Sequence, residues 1–548
     1  MSRRPKRERG DVAWLALALG ALAGGAWLRI RGVGSQFIID DEWHALHKVL
    51  RADMLDIVTH LDYADYSIPL TVYLRWLHDT IGVTEWGMHA PMLAAGIALI
   101  VVAPWLARAW TTPAVRATWA VLLAVSPLLV YFSRTARPYA LTTLAAVMAL
   151  VAFERWWRGN RHHGAWGATY VAATFAGGYL HMTSLAFTLS PFIYFGVRAM
   201  MHDRDALPRL ARMGAITALP LALALLPPVI NDWFMFTAKA GVDSVTPASG
   251  YRTLLMLSGS AHAAVAALLM ACAIVGAHGF WRRDSELAGY VFATAAFGTL
   301  AIVAARPNWV MHPPVLARYL APLLPMLLLL AAEGAVALLP ARGAALRMPL
   351  IALVGGALWA AGPLPAQLWE PNQFSGHLKY QFDYDDAHNP YVQHAPVEPV
   401  PAFYRQLARL SPGSLTLIEA PWRLESHFNP HAWYQQIHRQ NLLIGMTTPL
   451  CGTSNFGEYP ESSTGMRLKH FAHLTAVLRG RDYGADFLVM HVKPWSTPPA
   501  AIVPWPDVAR CLPAIEAALG PAVFRDDRIV VFKLERKESG GVPKAPPR

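Results

Sequence analysis

The sequence carries little charge for its length. Only 15% of its 548 residues are charged and 54% are hydrophobic, whereas about 25% of the residues in soluble proteins are charged. The mean hydropathy is +0.30, and the apolar residues stand in long runs. These features exclude an ordinary soluble enzyme, a disordered chain and a fibre. They predict a polytopic α-helical membrane protein.

Cysteine is also scarce. Three cysteines in the whole chain exclude a disulfide scaffold. Cys272 lies in an apolar run and is expected to be a small core residue. Cys451 and Cys511 fall in the polar C-terminal part, and they can form a disulfide if that part lies outside the cytoplasm.

Motifs for nucleotides and metals are missing from the sequence. No glycine-rich loop follows a strand in the way that phosphate-binding loops do, so nothing in the sequence requires a nucleotide. His427 and His431 have helical spacing, but Pro430 between them breaks the helix that would align their rings. We therefore expect no metal site from histidine spacing.

The basic charge is concentrated in the first two thirds of the chain. Residues 1–364 hold 29 Lys and Arg against 19 Asp and Glu, and residues 365–548 hold 18 against 17. Because the excess accompanies the apolar runs, it indicates membrane topology rather than nucleic-acid binding. The chain is thus expected to divide into a membrane module (1–364), a proline-rich linker (365–400), a second domain (401–536) and a disordered tail (537–548).

Hydropathy predicts about eleven membrane spans, since a spanning helix needs about 20 apolar residues. The predicted spans are 12–31, 88–107, 114–132, 137–156, 164–181, 183–200, 211–231, 261–281, 286–304, 316–338 and 347–364. The basic N-terminal flank and the later basic connections can all be placed on the cytoplasmic side. An additional span at 67–82 would invert every later loop, so this stretch is predicted to be an interfacial helix in a first external loop of about 32–87.

The C-terminal part is predicted to be a small extracytoplasmic α/β domain. Strand patterns at 414–420, 441–446, 485–492 and 528–535 alternate with helical patterns at 401–410, 465–479 and 506–519. With eleven spans and a cytoplasmic amino terminus, this domain lies outside the cytoplasm. The abundance of Ala and Arg suggests a bacterial chain, which predicts the inner membrane and a periplasmic domain.

Acidic residues cluster in the first external loop. Seven of the 19 acids of the membrane module fall at 40–65, and Asp40, Asp41 and Glu42 directly follow apolar Phe37–Ile39. Adjacent carboxylates repel one another, so at least one is expected to have a partner or a raised pKa. Such acids also occur in solvated loops without a function.

Four arginines stand at external span ends, against the positive-inside trend: Arg134, Arg137, Arg306 and Arg318. Arginine at membrane depth is costly without a counter-charge, and its planar guanidinium matches phosphate well. Snorkelling to a headgroup explains a single arginine equally well, but less easily four on one side. Together, an external carboxylate could deprotonate an acceptor hydroxyl while arginines stabilise a departing lipid phosphate. One base suffices for displacement with inversion at a sugar carbon, because the retaining route needs a second carboxylate.

Several of these segments resemble a known family. The acidic loop is followed by the motifs SPLLVYFSRTARPYAL (126–141) and ARYLAPLLP (317–325), as in the GT-C superfamily of polyprenyl-phosphate-dependent glycosyltransferases. The protein O-mannosyltransferase and lipid A aminoarabinose transferase branch is the most similar. The resemblance covers about residues 10–340, and Ser126 to Leu141 is its most specific part.

The resemblance implies roles for particular residues. The catalytic loop acid falls on Asp41, with Asp40 and Glu42 beside it, and a later loop acid falls on Asp65. Arg137, Tyr139, Arg318 and Tyr319 match positions near the donor phosphate and sugar, and Arg134 joins them. Members often have His-Pro-Pro-Leu where this chain has Ser67-Ile68-Pro69-Leu70, which leaves the local geometry open. Metal-using and metal-free members both occur, so a divalent metal remains an option.

The leading hypothesis is therefore an inverting membrane glycosyltransferase. It would move a sugar from a polyprenyl-phosphate donor to a lipid, glycan or protein hydroxyl on the extracytoplasmic face. The alternative is a lipid-linked sugar transporter or flippase, which would be expected to show repeats and midplane charges. A scaffold that presents its outer domain is a third hypothesis.

Overall fold

The structure, a computed structural model, describes residues 9–38, 40–61, 67–159, 162–339, 344–365, 400–422, 431–452, 465–493 and 507–535. Within these residues a helical part is followed by a smaller α/β part, so the predicted fold class is confirmed. The predicted domain boundaries stay predictions, because the linker and the tail lie almost entirely outside the described residues.

The helical part contains nineteen described α-helices, joined by short 3-10 turns. In chain order they are α1 (Arg9–Ile30), α2 (Trp43–Arg51), α3 (Met54–Thr59), α4 (Ile68–Thr80), α5 (Glu85–Leu106), α6 (Pro113–Val125), α7 (Pro127–Ser133), α8 (Tyr139–Trp157), α9 (His163–Leu180), α10 (Leu185–Thr188), α11 (Ser190–His202), α12 (Leu207–Asn231), α13 (Trp233–Thr237), α14 (Pro247–Ser258), α15 (Ala263–Arg283), α16 (Ser285–Ala305), α17 (Pro313–Leu320), α18 (Leu324–Leu338) and α19 (Ala344–Ala361).

A helix or helix pair stands at each of the eleven predicted spans. Among the described residues, eight segments are long and apolar enough to cross a membrane, or nine when the bent pair α6–α7 counts as one span. The remaining two positions correspond to α9 and to the shorter α19. The chain is a multi-pass membrane protein, and the count of eleven stays a prediction.

The bend between α6 and α7 has an identifiable cause. Pro127 cannot donate a backbone hydrogen bond to the preceding turn, and the two helices meet at 61°. The guanidinium of fully buried Arg29 fills the gap by donating to the carbonyls of Leu123 (3.0 Å) and Ala124 (3.0 Å). Arg29 also donates to Ser133 Oγ (3.1 Å), so α1 fixes both halves of the bent pair.

Two glycines let α15 and α18 approach each other closely. A Cβ on Gly276 would lie 1.9 Å from the carbonyl oxygen of Leu330, and one on Gly334 would lie 1.8 Å from that of Cys272. Any larger residue would push the helices apart, which is the usual reason for glycine in membrane helix contacts. Cys272 is half-buried at this contact, in agreement with its predicted packing role.

The segment between α1 and α5, which is predicted to be the first external loop, is largely helical. After α1 it forms a 3-10 turn at Asp40–Glu42, then α2, α3 and α4. The stretch predicted as an interfacial helix is α4, whose Leu74 and Leu77 are buried while Trp76 is exposed. Such a short, one-sided helix fits a position along the membrane surface rather than across it.

The C-terminal part contains a six-stranded sheet with strand order β3-β2-β1-β4-β6-β5. Its elements are α20 (Ala402–Leu407), β1 (Thr416–Ala420), α21 (His431–His438), β2 (Asn441–Met446), β3 (Phe471–His473), α22 (Leu474–Leu478), β4 (Phe487–His491), α23 (Val508–Leu519), β5 (Phe524–Arg525) and β6 (Ile529–Lys533). Strands β3, β2, β1 and β4 are parallel, and β6 and β5 are antiparallel to their neighbours.

The four predicted strands and two of the three predicted helices are confirmed as β1, β2, β4, β6, α20 and α23. The helix predicted at 465–479 is wrong in its first half, where Phe471–His473 pairs with β2 as a short strand. This segment has too few residues to show an alternating pattern, so pairing with a neighbour decides its conformation. The short β5 and the helix α21 were not predicted.

The α/β domain is docked on the segment between α1 and α5. The backbone N–H of Val83 donates to the Gly465 carbonyl (2.7 Å), and the N–H of Arg467 donates to the Val83 carbonyl (2.8 Å). Glu85 accepts from the N–H of Lys469 (2.7 Å), and Trp43 packs edge-on against Phe471. The domain therefore lies against the loop that carries the acidic cluster.

A disulfide joins Cys451 and Cys511 across 60 residues of sequence. It links the segment after β2 to α23. Both cysteines are buried in a hydrophobic cluster with Ile418, Leu488 and Val530. Because a long loop is closed, the bond restricts the unfolded chain and stabilises the domain.

We expect the double substitution Cys451→Ser and Cys511→Ser to lower the free energy of unfolding by about 2–4 kcal/mol. Thermal unfolding of purified protein measures this loss. Maleimide labelling of denatured wild type provides the control, since only Cys272 is free. Labelling of all three cysteines without a reductant would contradict the disulfide.

Candidate functional site

The structure brings five of the predicted site residues together at one end of the helical part. Asp41 lies in the 3-10 turn after α1, and its Oδ2 accepts from the Arg318 guanidinium at 2.6 Å. Arg137, in the turn between α7 and α8, donates to the backbone carbonyl of Asp41 (3.3 Å). Tyr139 and Tyr319 complete the group beside these arginines.

Two tyrosines flank the guanidinium of Arg318. Its central carbon lies 5.6 Å from the ring centre of Tyr139 and 5.5 Å from that of Tyr319. These distances are within cation–π range. Arg318 is therefore a cation beside two aromatic rings, and the carboxylate of Asp41 is its ionic partner.

Two histidines that sequence reasoning missed join this group. The Nε2 of His44 lies 3.3 Å from Oδ1 of Asp41. The ring of His181 lies between Tyr139 and Tyr319, with centroids 5.5 and 5.7 Å away, and Arg137 and Arg318 both act on it electrostatically. The spacing of His44, three residues after Asp41, is the spacing at which two side chains on a helical turn can meet. Nothing in the sequence linked His181 to this site.

The electrostatics of the site keep Asp41 ionised. Its partial burial by itself would raise the pKa of the carboxyl, but the charge of Arg318, a hydrogen bond from His44 and the charge of Arg137 together hold that pKa well below its usual range. The side chain remains 28% exposed. Asp41 is therefore an anion that a ligand can reach.

Glu42 has a different environment from Asp41. It is 1% exposed, and its Oε1 accepts from the backbone N–H of Ala136 (2.7 Å) and lies 2.8 Å from Nε2 of His89. The Nδ1 of His89 donates to the Glu85 carbonyl (2.6 Å). The carboxylate thus holds the acidic turn against the α7–α8 turn.

Arg134 also has a structural environment. Its guanidinium donates to the carbonyls of Leu28 (3.1 Å), Arg29 (3.1 Å) and Arg31 (2.5 Å). These are the unpaired carbonyls at the end of α1, which cations stabilise. Its predicted contact with the donor phosphate stays a prediction, and the observed contacts fix the end of α1.

The remaining predicted residues are placed as follows. Asp40 belongs to the same 3-10 turn as Asp41, while Asp65 lies outside the described residues. Arg306 stands in the loop after α16, where it donates to the Asp243 carbonyl (3.2 Å). Neither Arg306 nor Arg134 contacts the carboxylate of Asp41 among the interactions described.

The site lies at the opposite helix ends from the basic connections. α8 starts beside the site at Tyr139 and ends at Trp157, near which Arg158 pairs with Glu154 (2.9 Å) and Asp284 (2.8 Å). Arg283 pairs with Glu333 at 2.7 Å. This separation agrees with the predicted placement of the basic connections on one side and the acidic loop on the other.

A second cluster of ionisable groups lies in the α/β domain and was not predicted. Glu419 of β1, His431 of α21 and His491 of β4 bring one ligand atom each within 4.8 Å of one another, and all three residues are buried. Pro430 breaks the helix between His427 and His431, so it excludes only His427 as a second ligand beside His431. The sequence did hold a signal, because each of two apolar strands has an ionisable residue near its end: Glu419 in TLIEA and His491 in FLVMH.

Comparison with known proteins gives structural matches only. No protein-family model and no curated protein matches the sequence. ArnT from Cupriavidus metallidurans in the apo state has a TM-score of 0.49 and 13% identity, covering 95% of this chain and 98% of that chain. The oligosaccharyltransferase of Archaeoglobus fulgidus in complex with Zn and sulfate has a TM-score of 0.45 and 12% identity, covering 87% and 68%.

The mycobacterial arabinofuranosyltransferase AftD has a TM-score of 0.43 and 14% identity, covering 96% of this chain and 42% of that chain. Two of these matches are named as transferases, an oligosaccharyltransferase and an arabinofuranosyltransferase. Similarity at this level says nothing of substrate or mechanism, which have to be inferred from the site itself.

We expect Glu42 and Asp41 to respond differently to substitution. Glu42→Ala leaves a buried imidazole and the Ala136 N–H without their partner, which should cost about 3–5 kcal/mol of folding stability. Asp41→Asn keeps the shape of the side chain and breaks a pair that is partly exposed, so its cost should be smaller than that of Glu42→Ala. Thermal unfolding of both variants in the same detergent measures the difference. Equal losses would mean that Asp41 is a structural residue too.

Proposed function

We propose that the protein is an integral-membrane inverting glycosyltransferase that uses a polyprenyl-phosphate sugar as donor. The observation that carries the proposal is the contact between Asp41 and Arg318 at 2.6 Å, with Arg137 beside it. It puts an ionised, reachable carboxylate next to two arginines at the ends of membrane helices. A lipid phosphate and an acceptor hydroxyl need these two kinds of group side by side.

In this proposal Arg318 has two alternative partners. In the free enzyme Arg318 pairs with the carboxylate of Asp41. The donor phosphate competes with this carboxylate for the guanidinium of Arg318, and Arg137 helps to bind the phosphate. Binding of the donor therefore weakens the pair and makes the carboxylate a stronger base. A low pKa keeps Asp41 ionised in the free enzyme but makes it a weak base, and the donor phosphate offsets that weakness.

The reaction then proceeds by displacement. Asp41 accepts the proton of the acceptor hydroxyl, and the acceptor oxygen forms a bond to the anomeric carbon of the sugar. The bond from that carbon to the phosphate oxygen breaks, and polyprenyl phosphate leaves with the electron pair, held by the arginines. A single carboxylate at the reacting centre corresponds to inversion, since retention needs a second one on the opposite side.

We also propose that the site and the α/β domain face the extracytoplasmic side, with the amino terminus in the cytoplasm. The basic connections at the other helix ends support this orientation through the positive-inside rule, and the disulfide between Cys451 and Cys511 suits an oxidising compartment. In a bacterium this is the periplasmic side of the inner membrane. The α/β domain, docked beside Trp43 and Glu85, is then a candidate for acceptor recognition.

We expect Asp41→Asn to reduce transfer roughly 10²–10⁴-fold, the usual contribution of a general base. The measurement is release of label from a panel of radiolabelled polyprenyl-phosphate sugars by purified protein in nanodiscs. Asp56→Asn is the matched control, because Asp56 lies in the same loop and pairs only with exposed His60 among the ion pairs described. This control should retain full activity.

The same experiment separates the transferase from a lipid-linked sugar transporter. A transporter would release no label from any donor, and its donor binding or translocation would survive Asp41→Asn. That outcome would contradict the proposed function and favour the alternative, while loss of folding in Asp41→Asn is checked by its unfolding temperature.

The depressed pKa of Asp41 makes a second prediction. Because the carboxyl ionises well below its usual range, kcat/KM of the wild type should show no step from Asp41 between about pH 5 and 8. Arg318→Gln removes the charge that lowers the pKa and leaves the burial that raises it, so the acid limb of the residual activity should move to higher pH. Arg318→Lys keeps the charge and should leave the limb in place. An unchanged limb in Arg318→Gln would contradict the role of Asp41 as base.

A further inference from the structure

The buried cluster in the α/β domain goes beyond the proposed function. Glu419 precedes the last residue of β1 and His491 is the last residue of β4, and these parallel strands are neighbours. Cα register pairs Glu419 with Val489, two residues before His491, so both side chains lie on one face of the sheet. His431, the first residue of α21, covers this edge of the sheet.

The distances between the ligand atoms suit a metal ion. The Nε2 of His491 lies 3.0 Å from Oε2 of Glu419, and the ligand atoms of all three residues lie within 4.8 Å of one another. Ligands of a tetrahedral zinc ion, at about 2.0–2.2 Å from the metal, are about 3.3 Å apart. Small rotations of the side chains would therefore place all three ligands around one ion.

The hydrogen bonds of His431 supply an independent observation. His431 is fully buried, yet neither of its ring nitrogens has a hydrogen-bond partner among the described residues. A buried polar group without a partner costs about 1–3 kcal/mol, and native proteins rarely leave one. A metal ion bound by one of these nitrogens removes that cost. The contact between Glu419 and His491 does not remove it, because His431 takes no part in that contact.

A further histidine stands beside the carboxylate of Glu419. The Nδ1 of His438 accepts from the backbone N–H of Gln440 (3.0 Å), so its proton is on Nε2, which lies 3.5 Å from Oε1 of Glu419. Polar groups placed behind a ligating carboxylate in this way commonly support a metal site. The hydroxyl of Tyr404, 3.3 Å from Nε2 of His491, is an additional oxygen close to the cluster.

From these observations we propose that Glu419, His431 and His491 bind one structural Zn²⁺ ion that ties β1, β4 and α21 together. Two imidazoles and one carboxylate are typical zinc ligands, and imidazole excludes the hard ions Mg²⁺ and Ca²⁺ as the preferred occupants. The ligands are 0–3% exposed, so the ion is enclosed by the α/β domain. The ion is thus separate from the Asp41 site and its chemistry.

Metal analysis of the full chain tests the site. The protein is purified in detergent without a polyhistidine tag, loaded with Zn²⁺, desalted and measured by mass spectrometry of the metal. We expect about one zinc per chain in wild type and a small fraction of that in His431→Ala and in Glu419→Gln, which keeps the shape of the side chain. His202→Ala, at an exposed helix end, is the matched control and should bind zinc like wild type.

Two results would overturn the proposal. The first is wild type that retains no zinc after loading, and the second is full zinc retention in Glu419→Gln and His431→Ala. If both variants fail to fold, Co²⁺ bound to wild type decides, because a site with these nitrogen and oxygen ligands gives visible absorption bands and protects the cobalt from weak chelators. Cobalt that is removed at once, without such bands, would equally exclude the site. None of these readouts depends on glycosyltransferase activity.

Discussion

The candidate active site depends on one buried interaction, the contact of Glu42 with the backbone N–H of Ala136 and with His89. Ala136 lies in the turn between α7 and α8, and Glu42 follows Asp41 directly in the chain. The contact therefore fixes the distance between the loop that carries the carboxylate and the turn that carries Arg137. It acts together with the hydrogen bonds that Arg137 and Arg318 donate directly to Asp41.

The motif at 126–141 can now be understood residue by residue. Pro127 bends the helix pair, and the buried guanidinium of Arg29 pairs with the carbonyls that the bend leaves open. Arg134 fixes the end of α1, Ala136 holds Glu42, and Arg137 and Tyr139 line the site. One short segment thus combines structural and functional residues, so similarity in it does not tell by itself which arginine meets a ligand.

The two parts of the chain differ in how their ionisable groups are used. At the membrane surface, Asp41 and Arg318 form a partly exposed pair that a charged ligand can separate at little cost. In the α/β domain, Glu419 and its histidines are almost completely buried, where an unpaired charge is expensive. The first arrangement suits turnover of a substrate, and the second suits a permanent ion that stabilises the fold.

The sequence by itself determined the membrane class, the helix positions, the α/β character of the tail and the group of Asp41, Arg137, Tyr139, Arg318 and Tyr319. These features follow from local hydropathy, alternation and a recognisable motif, which depend on neighbouring residues. Tertiary structure alone decided that Arg134 fixes a helix end, that Glu42 is a buried link, that His181 lies between Tyr139 and Tyr319, and that Glu419, His431 and His491 lie together. Some of their partners are more than a hundred residues away along the chain, and no local pattern records which distant groups the packing of helices and strands brings together.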